Sequence, residues 1–156
     1  MIFKGRAHTA NGKYSDMALG VAYAPAIEGP YTVLNNGKPI FQVNGQGEAE
    51  DPFLWKDSRG YHVIFKDHVA KFTGERGGGV MAHSDDGIHW TVDKDPKAYS
   101  RTVEWEDGKV EMQGQLERPF LLFEDGKATH AFFATMDGPG GFENASKSWN
   151  MVIPLK

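Results

Sequence analysis

The sequence predicts an all-β chain built as part of a β-propeller, and three observations lead there. A short phrase occurs twice, as Glu50-Asp51-Pro52-Phe53-Leu54 and as Glu117-Arg118-Pro119-Phe120-Leu121. Each copy leads into a second shared pattern, His62-Val63-Ile64-Phe65 and His130-Ala131-Phe132-Phe133, and Ile2-Phe3-Lys4 repeats Ile64-Phe65-Lys66. Nineteen glycines, eight prolines and 12% aromatic residues indicate short strands broken by tight turns. Repeats of roughly 60 residues carrying four antiparallel strands each are the sequence form of a propeller blade.

The complete copy reads as strands over 51–56, 61–67, 78–83 and 89–92. The breaks between them are Asp57-Ser58-Arg59-Gly60, the glycine-rich stretch 73–79 and Asp85-Asp86-Gly87, all with turn chemistry. The first copy is broken: it supplies strands at 2–5, 17–24 and 31–34, the last placed by the match of Tyr31-Thr32-Val33 to Trp90-Thr91-Val92. The final copy supplies 118–123, 129–135 and 149–153. The units are therefore an incomplete blade over 1–45, a complete blade over 46–97, a long loop over 98–116 holding Tyr99, Arg101, Trp105 and Gln113, and an incomplete last blade over 117–156. That makes about two and a half blades, and because blades bury their faces on neighbours, a homo-oligomer or a complementary propeller half is the expected partner.

Composition narrows the function classes. A net charge of −4 without a long basic run argues against nucleic acid, which calls for a clustered positive surface. No apolar run approaches the roughly 20 residues that cross a bilayer, and 1–6 lacks the apolar stretch of a signal peptide. The absence of cysteine excludes disulfides and thiolate metal sites, and a bacterial cytoplasm or periplasm suits it.

The first strand of each blade lines a propeller's axis, so Asp51 and Glu117 are expected to converge at one end of it. Carboxylates meeting in a pocket are what glycoside hydrolysis requires, one to protonate the leaving oxygen and another to activate water or tune the first. A carbohydrate is the expected ligand.

The Asp51-Pro52 pair, the Glu117-Arg118-Pro119 triplet and the outer turn Ser84-Asp85-Asp86-Gly87-Ile88-His89-Trp90 together resemble the five-bladed propeller glycosidases related to glycoside hydrolase families 43 and 117. The resemblance covers nearly the whole chain as the carboxy-terminal half of such an enzyme. It implies that Glu117 is the general acid and that Asp51 tunes its pKa and orients substrate. The general base is expected in an earlier strand with no counterpart here. The resemblance also implies the possibility of a calcium or other ion on the axis; no other cofactor is expected, and no cluster has metal-ligand spacing.

Structural readings stand beside these. Asp51 can open a strand by accepting backbone N–H groups, and Glu117 can pair with a basic neighbour. His62 and His130, equivalent in the repeat, are either hydrogen-bonded scaffold residues or sugar contacts. Lys66, His68 and Arg118 can meet hydroxyls or a carboxylate on a sugar, or be solvated charges, and Trp55 joins the candidate substrate-binding residues. Strand alternation puts Glu50 on the face opposite Asp51, as a structural partner. The alternative function is a non-catalytic carbohydrate-binding or oligomerising module. A sialidase-like site lacks a convincing arginine triad among Arg6, Arg59, Arg76, Arg101 and Arg118.

Overall fold

The computed structural model describes residues 1–42, 48–138 and 140–155. The expected boundary between the first two units, at 45 and 46, lies outside the described residues.

The chain is all-β, with two single-turn 3-10 segments among the described residues, at Asn35–Gly37 and Phe142–Asn144. The first sheet contains β1 (Ile2–Gly5), β2 (Ala18–Tyr23) and β3 (Thr32–Val33) in that order. The second contains β4 (Ala49–Asp57), β5 (Gly60–Asp67), β6 (Gly79–Ser84) and β7 (Thr91–Tyr99). A two-stranded hairpin follows, β8 (Thr102–Glu104) with β9 (Val110–Met112). The third sheet contains β10 (Gln115–Glu124), β11 (Lys127–Met136) and β12 (Ser148–Pro154). Among the described residues every pairing is antiparallel, and none of the sheets closes on itself.

Alternation along the strands explains the stacking. In β5, Val63 and Phe65 point one way and Ile64 the other. Val63 and Phe65 join Val80 and Ala82 against Leu19 of the first sheet and Phe41, whose ring stacks on Phe65 at 4.5 Å. Ile64 joins Leu121, Ala131, Phe133 and Met151 of the third sheet, with Phe53 and Trp55 packed alongside. The second sheet is thus covered on both faces, and its near-continuous apolar run Val63-Ile64-Phe65 is what a doubly buried strand needs.

Two segments differ from the expectation. β7 continues to Tyr99 rather than stopping at Val92, because two irregularities in the β6–β7 register carry the pairing on until Gly79 faces Tyr99. A β-carbon at Gly79 would overlap the Tyr99 ring, so glycine is what lets that tyrosine lie across the strand. The segment 98–116, expected as loop, carries the β8–β9 hairpin. Its turn at Asp107-Gly108 has Gly108 at φ 81°, and Val103 and Trp105 pack into the second core. Asp-Gly flanked by short β-prone runs is a hairpin signal, and it is faint here because neither strand exceeds three residues.

Candidate functional site

The repeated phrase makes the same backbone feature twice. The residue before each proline, Asp51 and Arg118, sits at positive φ, 48° and 54°. Each lies in a register irregularity, between Glu50 and Phe53 in the β4–β5 ladder and between Glu117 and Phe120 in the β10–β11 ladder. Pre-proline residues disfavour the right-handed helical region, and a non-glycine residue at positive φ is strained by on the order of 1 kcal/mol or more. A bulge also interrupts alternation, so neighbouring side chains can reach one side. Glu50 and Asp51 therefore both line one cleft, correcting the expectation that Glu50 faces away.

That cleft has a volume of about 510 Å³ and lies where all three sheets meet. The carboxyl groups of Glu50, Asp51 and Glu117 gather there, with an oxygen of each within 4.8 Å of the others. Lys66 reaches between the second and third sheets: its Nζ donates to Glu117 Oε1 at 2.6 Å and to Glu50 Oε2 at 3.3 Å. Both ends are buried, the Lys66 side chain being 4% exposed and that of Glu117 6%. From the first sheet, Lys4 Nζ lies 3.4 Å from Asp51 Oδ1 and 3.9 Å from Glu50 Oε1. The Asp51 carboxylate also accepts the backbone N–H of Arg118 at 3.3 Å, joining one bulge to the other.

His68 stands between Glu50 and Glu48, 3.4 Å and 3.5 Å away, with Nδ1 too poorly aligned to hydrogen-bond. Arg76, Arg118, Phe142 and Glu143 also line the cleft. Gln115 also lines the cleft, with its Oε1 buried and without a hydrogen-bond partner. The Tyr99 hydroxyl is buried and unpartnered too; burial, then the charges of Asp51, Glu117 and Glu75, push it well above the usual phenol range.

Of the residues singled out from sequence, the cleft brings together Asp51, Glu117, Lys66, His68 and Arg118. Trp55, His62 and His130 lie elsewhere. His62 stacks on Trp55 at 5.3 Å and bonds Asp57 Oδ1 through Nε2 at 2.9 Å, and Trp55 packs against Phe123. His130 bonds the Thr129 hydroxyl at 3.0 Å. The alternation that aims Lys66 at the cleft leaves His62, four residues earlier, at the far end of the same strand, where its repeat equivalent His130 also sits. Unforeseen at the cleft are Glu50, Lys4, Arg76 and Gln115. Lys4 had a signal, because it aligns with Lys66 in the repeat and does the same job one sheet earlier.

Burial pushes the Asp51 carboxyl up, but the charge of Lys4, hydrogen bonds with Glu117 and Lys4 and the charge of Arg118 outweigh it and hold the group below its ordinary value. The oxygen trio has the composition of a hard-cation site. Two ammonium groups already supply positive charge there, however, so an axial ion does not fit these residues as arranged.

No family model matches the chain, and no curated protein does. Among solved structures, the fold is similar to one described as "Glycoside hydrolase" and to one described as a complex of "BT0996 RGII". Each superposes with a TM-score of 0.66 at 10% identity, over 99% of the present sequence and 40% of the solved one. The chain therefore spans less than half the length of either, and the likeness is one of fold.

Two outcomes test the charge arrangement. Lys66→Met leaves the buried Glu117 carboxylate without its cation and is expected to cost about 3–5 kcal/mol at neutral pH, read by chemical denaturation. Asp51 has a depressed folded-state pKa, so its contribution is present above the unfolded value of 3.8 and is lost as pH falls through the lower folded value. The stability gap between the parent chain and Asp51→Asn should close below pH 3.8, and a gap constant through that range contradicts the assignment.

Proposed function

We propose that the cleft belongs to a glycosidase of propeller type, with Glu117 as general acid and Asp51 as the group that orients substrate and tunes Glu117. The observation that carries this reading is the meeting of three carboxylates from two adjacent sheets in one polar cleft. Burial pushes Asp51 up, but Lys4, Glu117 and Arg118 hold it below its ordinary value, which suits an ionised orienting group beside Glu117. A sugar hydroxyl would satisfy the buried Gln115 acceptor, which is otherwise costly to leave unpaired. The fold shared with a structure described as a glycoside hydrolase adds support.

The same geometry limits the roles. Inverting glycosidases separate acid and base by about 6.5–9.5 Å to admit a water, whereas these carboxyl oxygens approach within 4.8 Å. The trio suits an acid and its tuning partners, and the base is assigned outside it. Proton donation by Glu117 also requires the Lys66 contact to loosen when substrate enters.

A second reading rests on that contact. Lys4 and Lys66 hold all three carboxylates in ion pairs, which suits a module that binds carbohydrate without cleaving it. The two readings part on one substitution. In the assembly that turns over substrate, Glu117→Gln is expected to lower hydrolysis by about 10²- to 10⁴-fold at temperatures where circular dichroism still shows the folded chain, although loss of the buried partner of Lys66 lowers its melting temperature. Turnover retained by that variant removes Glu117 from the acid role, and sugar binding without any turnover by the parent favours the binding module.

A second copy of the chain is proposed as the partner. Phe120, Phe132 and Val152 are register neighbours across the third sheet and all three are exposed, Phe120 also meeting Phe53 of the second sheet at 5.1 Å. A connected apolar row of this kind drives association. Light scattering should return a mass above that of one chain, and a stable monomer at micromolar concentration rules out the pairing.

A further inference from the structure

We propose that the cleft selects a sugar carrying a carboxylate, a uronic acid unit, through the guanidinium groups of Arg76 and Arg118. The inference rests on the carbohydrate reading above and adds the charge of the substrate to it.

The charges of the cleft divide into two sets. Lys4, Lys66 and His68 sit against Glu50, Asp51 and Glu117 and are occupied by them. Arg76 and Arg118 line the same cleft, and among the described residues neither guanidinium has an ion pair or hydrogen bond, although the charge of Arg118 also acts on Asp51. Glu143 also lines the cleft without an ion pair among the described residues. With His68 neutral the lining holds four cationic and four anionic side chains, whereas the chain as a whole carries −4.

Both arginines stand on backbones that are held in place. Arg118 occupies the strained bulge, φ 54°, with its N–H bound to Asp51. Arg76 lies in the glycine-rich segment between β5 and β6, which is tied down on either side of it. Fully buried Asp67 accepts the backbone N–H groups of Lys71, Phe72 and Thr73 at 2.8–2.9 Å. Glu75 accepts from Arg101 N at 2.9 Å and Ser100 Oγ at 3.0 Å, and Gly77 N donates to Asp67 O at 2.6 Å. The loop is fastened through the Glu75 carboxylate and the Gly77 N–H, while the Arg76 side chain between them makes no hydrogen bond or ion pair among the described residues. A fixed stem with a free guanidinium suits recognition of a planar anion, because the fork of N–H donors matches a carboxylate in two parallel bonds. Neutral hydroxyls make no comparable use of two guanidinium forks.

The test uses the chain as it stands and titration calorimetry with trimers of galacturonate, glucuronate and mannuronate, each beside its methyl ester. Esterification removes the charge and keeps the sugar. For at least one pair the acid is expected to bind about tenfold tighter than the ester, with the ratio shrinking as salt rises. Arg76→Gln with Arg118→Gln should bring the ratio close to one by weakening the acid more than the ester. Arg59→Gln, an exposed arginine outside the cleft and paired with Asp57, should leave the ratio unchanged. Equal binding of acid and ester, or a preference that survives the double substitution, overturns the charge inference while the carbohydrate reading stands. Binding of none of the six sugars overturns both.

Discussion

The architecture of the cleft depends on one backbone constraint, the bulge at the residue preceding each repeated proline. An ordinary strand sends neighbouring side chains to opposite faces, so a β4 without the irregularity would send Glu50 and Asp51 to different sides of the sheet. Positive φ at Asp51 breaks the alternation and delivers both carboxylates to one place. Arg118 repeats the geometry in β10, so Glu117 arrives from the third sheet beside them. The strain is local and twofold, and it is offset by the bond between the two bulges, from Arg118 N to Asp51 Oδ2.

Three carboxyl groups within 4.8 Å would repel one another strongly without the cations interleaved among them. Lys4, near the end of β1, answers the acids of β4; Lys66, near the end of β5, answers Glu117 of β10. Each sheet thus lends its lysine to the first-strand acid of the next. The series stops at the third sheet, where Ala134 pairs with Glu117 as Lys66 pairs with Glu50. A buried pair of this kind adds little net stability, because desolvation consumes the Coulomb gain, but removing one partner is severe. Its value is positional: it holds charged side chains at a junction of sheets that apolar packing alone would not orient.

Around that polar centre the rest of the molecule is ordinary sheet packing. Two apolar cores cover the faces of the second sheet, and the glycine-rich loop after β5 is moored by Asp67 and Glu75. Trp55 and His62, which carry the residue types of a sugar contact, serve this packing by stacking on each other. Residue type alone did not separate them from Lys66 and His68; distance along the strand from the bulge did.

Much of this was legible in the chain as a string. Recurrence of Pro-Phe-Leu and of His-x-x-Phe marks the strands, and glycine and proline mark the turns, because local backbone preferences act over a few residues. The acidic residue two places before each proline and the equivalence of Lys4 with Lys66 were visible as well. That Glu50 and Asp51 share a face was not, since the rule of alternation predicts the reverse and only pairing with β5 exposes the slipped register. Nor was the contact of Lys66 with Glu117, or the freedom of Arg76 and Arg118. These depend on residues far apart in sequence being brought within a few ångströms by the stacking of separate sheets, and whether a charge is neutralised there is a property of that stacking rather than of any one segment.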